Sequence, residues 1–247
     1  MKDNAGTNLL SIIIPCYNGA GILEASLPLL LQYIPTLALP WEVIVVDDGS
    51  PEPELIKAVT EKNNCRYVTM LKNSGKGAAI RKGMLEAKGV YRIFTDADIP
   101  FEMEALKDIL NGLQNAHSDI VVGDRTIQGS QYYGKISGFR RMGSRLFTNI
   151  VKLVVPEMKY DTQCGLKGFR GDVAENIFSR GRINRFAFDV EVLYLATRQN
   201  YKVHRVPVKL LRHTGSSVNM LSAGMQMLGD IMLIRWYALT GKYDKLA

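Results

Sequence analysis

Two carboxylates one residue apart, Asp96 and Asp98, follow a short apolar run in the stretch Tyr91-Arg92-Ile93-Phe94-Thr95-Asp96-Ala97-Asp98-Ile99-Pro100. Hard divalent cations take oxygen ligands and are held by one or two carboxylates together with substrate phosphates. A strand-end pair of this kind therefore suits Mg²⁺ or Mn²⁺ and a phosphorylated substrate. Spacing alone leaves a second reading open, because Asp-x-Asp also occurs where Asp caps a backbone turn. Asp47-Asp48-Gly49-Ser50 closes another apolar run, Val43-Ile44-Val45-Val46. Its carboxylates could accept hydrogen bonds from a base or ribose, or cap a tight turn. Asn73-Ser74-Gly75-Lys76-Gly77 opens a helical pattern with two glycines and a lysine. Amides at a helix N-terminus favour anions, and Lys76 adds a point charge. Between Asp124 and Glu157 no acidic residue occurs, while Arg125, Lys135, Arg140, Arg141, Arg145 and Lys152 fall there. Guanidinium forks suit phosphate, and a solvated basic face is the alternative.

Other chemistries find little support. The G-x-x-x-x-G-K-[ST] spacing is absent, no G-x-G-x-x-G follows the first apolar run, and no G-x-S-x-G turn occurs. His117, His204 and His213 lack metal-ligand spacing. Asp189 and Glu191 open a helical segment after Phe186-Ala187-Phe188, where negative charge complements the helix dipole and capping is the plain account of Asp189.

The elements that must position these groups alternate. Runs at 10–16, 42–47, 66–71, 91–95 and 119–122 have strand character, with helical patterns between them. Four of these strands end in Asp, Ser, Gly or Pro clusters. That pattern implies a mostly parallel, doubly wound α/β sheet, in which ligands bind at the carboxyl ends of strands. Beyond Gly123 the expectation is a basic loop, a helix over 137–155, a turn at Asp161 and a short strand over 166–169. Helices over 172–178 and 189–199 and a closing strand over 202–211 follow. The helix over 137–155 sets Phe139, Leu146, Phe147, Ile150, Leu153 and Val154 beside Arg and Lys. It could lie in a membrane interface or pack on the core. Segment 218–243 places Leu221, Met225, Leu228, Met232 and Trp236 on one face, with Arg235, Lys242 and Lys245 as possible lipid head-group contacts.

The chain has 247 residues and a formal net charge of +7, pointing toward an anionic partner. Three cysteines, Cys16, Cys65 and Cys164, show no C-x-x-C pair, so a reducing setting is expected without disulfides or zinc. The run from Leu9 stops at Pro15, too short for a signal segment. Residues 25–41 carry no charge, but Pro28, Pro35 and Pro40 interrupt them, and no transmembrane helix is predicted.

Eight motifs stand in order: Pro15-Cys16-Tyr17-Asn18, Val46-Asp47-Asp48-Gly49-Ser50, Asn73-x-Gly75-Lys76-Gly77 with Gly83, Phe94-Thr95-Asp96-Ala97-Asp98, Gly123-Asp124-Arg125, Arg140-Arg141, Asp161-Thr162-Gln163-Cys164-Gly165-Leu166-Lys167 and Phe186-Ala187-Phe188-Asp189-Val190-Glu191. Through them the chain, from about residue 9 to 218, resembles the GT-A-fold family 2 glycosyltransferases. Within these it is most similar to the polyprenyl- and dolichyl-phosphate sugar synthases of the glucosyltransferase type. The resemblance implies an inverting hexosyltransferase acting on a UDP- or GDP-sugar and a polyprenyl phosphate, peripheral at the cytoplasmic face of a membrane, with no nucleic-acid partner. Residues 1–217 would form the GT-A domain and 218–247 an amphipathic helical tail. Pro15, Tyr17, Asn18, Asp47, Asp48, Lys76 and Asp96 would bind the donor. Asp96 and Asp98 would hold Mg²⁺ or Mn²⁺, and Arg125, Arg140, Arg141 and Gln163 would receive the acceptor, Arg125 and Arg140 with catalytic effect. Two departures stand out. Gly19 occupies a position where the family usually has Glu, a role Glu24 could take over, and Pro100 replaces a metal-binding Gln of the mannosyl branch. A soluble or polysaccharide acceptor, a sugar-phosphate nucleotidyltransferase and a non-catalytic nucleotide-sugar-binding module are the competing readings.

Overall fold

The computed structural model describes residues 8–115, 118–132, 164–211 and 220–246. The helix expected over 137–155, the turn at Asp161, and Arg140, Arg141 and Gln163 lie outside them. Strand β1, Leu10–Cys16, is buried along its whole length, as an apolar run covered on both faces must be. It pairs in parallel with β2, Trp41–Asp47, and with β4, Tyr91–Phe94, while β3, Arg66–Thr69, extends β2 in parallel. Beyond β4 comes β7, Lys167–Arg170, then β5, Ile120–Asp124, and β8, Val203–Pro207, in the order β3-β2-β1-β4-β7-β5-β8. The sheet is mostly parallel, as the alternation implies, with one exception: β7 runs antiparallel to both β4 and β5. Its first residues therefore lie at the edge where β4 and β5 end. The closing strand divides at Val208, and β9, Lys209–Leu210, pairs with β6, Gln131–Tyr132, in a separate ribbon.

Successive strand residues point to opposite faces, and this alternation sorts the core into two layers. Ile13, Ile44, Val46 and Phe94 face α3 (Lys76–Glu86), α5 (Gly171–Phe178), α6 (Phe188–Arg198) and α7 (Met220–Leu239). Ile12, Ile14, Val43 and Val45 pack with α1 (Ala20–Tyr33), α4 (Glu104–Asn115) and Ile56 of α2 (Pro53–Lys62). Gly83 permits α3 to lie against the sheet, because a Cβ there would come 2.5 Å from Ile13 Cγ2 and 2.9 Å from Val46 Cγ2.

Two expectations change. Pro28 sits inside α1 without ending it, and the chain continues through a 3-10 turn at Ile34–Leu37. By length and composition alone, Ala20–Leu37 is the one segment among the described residues apolar enough to cross a membrane, although Leu23, Leu27, Leu30 and Ile34 are buried against the sheet. In α7 the residues Met225, Met232, Trp236 and Leu239 are exposed while Ile231 and Ile234 are fully buried. The helix is thus apolar on both its inner and outer sides, and Met225, Met232 and Trp236 of the stripe seen in the sequence lie on the outer one.

Candidate functional site

Four strand ends meet at one rim, and the site grows from the turns they make. After β1 the backbone turns sharply at Asn18, whose φ of 49° is tolerated by Asn. Its N–H donates to Ser50 Oγ at 2.8 Å. Ser50 in turn donates from Oγ and N to Asp47 Oδ1, at 2.6 and 3.0 Å, and Tyr67 donates its hydroxyl to Oδ2 at 2.8 Å. Asp47 is fully buried. It stands outside the cavity lining, and the three donors its oxygens accept fix the turn between β2 and α2. Asn18 likewise stays outside the cavity lining, acting through its amide on the same turn.

Asp48 faces the other way. Its two oxygens accept the N–H groups of Ser74 and Gly75, each at 2.8 Å, which ties the β2 turn to the glycine loop before α3. Burial pushes its carboxyl up from the ordinary range, and the two amides pull it partly back. Gly49 has φ of 68°, and a Cβ there would lie 2.3 Å from the Lys72 carbonyl carbon, so only glycine lets the two loops touch. This bracing takes three amides of the loop out of a backbone anion cradle. The Ser74 and Gly75 amides go to Asp48 and the Ala78 amide goes to Asn184 O at 3.0 Å. Gly77 serves packing, since a Cβ would meet Phe188 Cβ at 2.5 Å. Lys76 is what the loop presents to an anion.

Lys76 Nζ lies 2.5 Å from Asp96 Oδ1 and 5.9 Å from the centre of the Phe188 ring. Burial lowers the proton affinity of this amine, yet Asp96, Asp189 and Asp98 together outweigh it and hold the pKa above that of an ordinary lysine. The turn carrying the acidic pair is bent tightly. Ile99, β-branched and buried, adopts φ of 40°, and Ile99 N–H donates to Asp96 O at 3.1 Å. Strain of this kind persists only where neighbours over-determine it, and here Ser26 Oγ clamps the turn by donating to Ala97 O at 2.6 Å. On the far side the segment leading into β7 approaches so closely that a Cβ on Gly165 would fall 2.0 Å from Asp96 Oδ2. Asp96 lines the cavity while Asp98, two residues on in the same turn, stands outside the lining; their hard carboxylate oxygens are the donor type that suits Mg²⁺ or Mn²⁺. Among the described residues no group of three or more His, Cys, Asp and Glu could hold a metal, so substrate oxygens and water would have to complete the shell.

Behind the acidic pair lies a charge pair that spacing did not disclose. Lys167, fully buried, donates to Asp189 Oδ1 at 2.5 Å and to Cys164 O at 2.7 Å. Asp189 sits in the first turn of α6 but makes no cap, as the helix begins at Phe188 without a side-chain cap bond. Burial pushes its carboxyl up, and the Lys167 and Lys76 ammonium groups pull against that rise. Glu191, two residues further along α6 and more deeply buried, accepts the amides of Arg182 and Ile183, both at 2.9 Å, and the Tyr243 hydroxyl at 2.8 Å. Arg81 pins the same loop through Gly181 O, Ile183 O and Asn184 Oδ1. These bonds hold residues 181–187 against α3.

The resulting cavity, about 370 Å³, is lined on one side by Pro15, Tyr17, Asp48, Lys76 and Asp96, all expected donor contacts. Its opposite wall is Arg185, Phe186 and Gln226, of which Arg185 and Gln226 were not anticipated. Their signals were a cation directly before Phe186-Ala187-Phe188-Asp189 and a lone amide between Met225 and Met227 in an apolar helix. Arg125 follows Asp124 at the end of β5 on the same sheet edge but is not part of the lining. Glu24 does not replace the missing carboxylate at Gly19: it is exposed on α1, 3.9 Å from Lys62.

This sheet order, with an acidic pair at the end of β4 and a braced glycine loop facing it, defines the GT-A class of glycosyltransferases. The chain belongs to glycosyl transferase family 2, whose model matches residues 11–178. It is 32% identical to a dolichyl-phosphate beta-glucosyltransferase of Dictyostelium discoideum, over 94% of this chain and 75% of that protein. The human dolichyl-phosphate beta-glucosyltransferase is 31% identical, over 96% of this chain and 78% of that one. Among solved structures, glucosyl-3-phosphoglycerate synthase from Mycobacterium tuberculosis, in complex with Mn²⁺, UDP and glucosyl-3-phosphoglycerate, superimposes with a TM-score of 0.70. It shares 16% identity and covers 94% of this chain and 80% of that one, a likeness of fold.

Proposed function

We propose that this protein transfers glucose from a nucleotide-diphosphate sugar to a polyprenyl phosphate, with inversion at the anomeric carbon, at the cytoplasmic face of a membrane. The similarity to dolichyl-phosphate beta-glucosyltransferases across three quarters of their length carries the reading. Within the cavity Tyr17 and Asp48 face the nucleoside, and Lys76 with Arg185 offers positive charge to the diphosphate. Asp96 and Asp98 would hold Mg²⁺ or Mn²⁺, which when bound neutralises charge developing on the leaving diphosphate. A phosphate monoester has its second pKa near ~6 and is largely dianionic at neutral pH, so no strong general base is needed. Alignment of the nucleophile is the larger demand, and Arg125, Arg140, Arg141 and Gln163 are assigned to it. The exposed stripe Met225, Met232, Trp236 and Leu239 of α7 runs from the helix that supplies Gln226 to the cavity. An uncovered apolar stripe beside the site suits contact with the lipid surface that carries the acceptor.

The test is a transfer screen with UDP- and GDP-sugars, Mg²⁺ or Mn²⁺ and short polyprenyl phosphates. Transfer of glucose to the lipid phosphate is expected, and transfer only to soluble acceptors would overturn the reading. Arg125→Ala should raise the KM for lipid phosphate more than that for sugar nucleotide, whereas equal changes remove its assigned role. Asp98→Asn should abolish metal-dependent transfer, and full activity in that variant defeats the metal assignment. Cosedimentation with anionic liposomes, and its loss on Trp236→Glu, checks the membrane contact.

A further inference from the structure

The acidic pair of the β4 turn already has a cation, and the chain supplies it. Lys76 Nζ occupies Asp96 Oδ1 at 2.5 Å, while Oδ2 lies against Gly165 so closely that even a Cβ would not fit. The negative charges of Asp189 and Asp98 add to the attraction on the same ammonium. The Lys76 side chain is 21% exposed and that of Asp96 is 30% exposed, so the pair sits at the cavity wall, within reach of a ligand. A divalent ion and an ammonium group drawn to one carboxylate repel each other, so the two compete for Asp96. Lys76 is tethered, which keeps its effective concentration at Asp96 constant whatever is dissolved outside. With no three-ligand group among the described residues, the protein alone offers the metal little chelation to win that competition. A diphosphate changes the balance twice over: its oxygens complete a metal shell, and they offer the ammonium another partner.

We propose that Lys76 is a tethered counter-ion that keeps the metal off Asp96 until a diphosphate draws it away, so that metal and donor bind as a coupled pair. Coupling of this kind is reciprocal: the donor tightens the metal by the factor with which the metal tightens the donor. The inference rests on the reading of Asp96 and Asp98 as the metal-binding pair, and the test separates the two.

Mn²⁺ binding to the full chain is measured by the electron paramagnetic resonance signal of the free ion, with and without UDP. In the absence of nucleotide, Lys76→Met should bind Mn²⁺ up to about fivefold more tightly than the native protein, the scale of losing one partly exposed ion pair. Lys76→Gln is the second neutral variant, should Met disturb packing on Phe188, and Lys76→Arg, which keeps the charge, should retain weak binding. UDP should tighten Mn²⁺ on the native protein by a larger factor than on Lys76→Met. Neutral variants that bind Mn²⁺ no more tightly than the native chain, or an equal UDP effect in both, overturn the competition. If those results come with an Asp96→Asn variant that has lost Mn²⁺ binding, the metal-site reading survives; if Asp96→Asn binds Mn²⁺ like the native protein, that reading falls as well.

Discussion

Replacing Asp189 by Asn leaves the Lys167 ammonium buried without its carboxylate. Lys167 is fully buried and the Asp189 side chain only 8% exposed, so water cannot move in to replace the lost charge. The Cys164 carbonyl at 2.7 Å and the face of Phe94, 5.4 Å to the ring centre, still lie against Nζ but carry no formal charge. Breaking one side of a buried pair costs ~3–5 kcal/mol, because the uncompensated charge is the expense rather than the bond itself. For a chain of this size each kcal/mol lowers Tm by ~2–4 °C, so Asp189→Asn should lose ~6–20 °C. The double replacement Lys167→Met with Asp189→Leu removes both charges and keeps apolar volume, and it should recover most of the loss. Urea unfolding of the native chain, Lys167→Met, Asp189→Leu and the double variant forms a cycle whose coupling term reads the pair directly. A loss under ~1 kcal/mol in Asp189→Asn, or a double variant as unstable as the sum of the singles, would refute the reasoning.

Three further outcomes follow from neighbouring contacts. Gly165→Ala would force a Cβ to within 2.0 Å of Asp96 Oδ2, so it should cut transfer at least ~100-fold by moving the carboxylate while far-ultraviolet circular dichroism stays native; activity within twofold of native would show that Asp96 need not hold its position. Tyr243→Phe removes the hydroxyl donor and leaves Glu191 with its two backbone amides, which should cost ~1–2 kcal/mol in urea unfolding, together with a raised donor KM from a looser 181–187 loop. Burial pushes the Cys16 thiol up to about 12 and that of Cys65 up to about 11. The reactive thiolate is thus scarce at pH 8 and grows only as pH rises toward those values, so both should resist alkylation in the native protein and react on unfolding, as mapped by mass spectrometry.

Most of the architecture could be read from local pattern because strands and helices are local events. The apolar runs at β1, β2 and β4 are recognisable without tertiary knowledge, and β1 falls on the residues expected, Leu10–Cys16. The antiparallel entry of β7 was not legible, since the direction of a four-residue strand depends on which edge the chain returns from. Pro28 misled for a related reason: the ring weakens a helix locally, but the apolar face formed by Leu23, Leu27 and Leu30 gains more by staying packed.

The sequence by itself determined the chemistry available at the rim, because carboxylates, glycines and a lysine at strand ends can face only the carboxyl edge of such a sheet. It could not say how those groups divide their bonds. Asp47 and Asp48 are adjacent, yet one is consumed by Ser50 and Tyr67 while the other holds the glycine loop to the cavity. Lys76 and Asp96 are twenty positions apart, and Lys167 and Asp189 twenty-two, so only the closed fold makes them partners. Hydrogen bonds and ion pairs act over a few ångströms, and the distances that decide them exist only once the chain has packed.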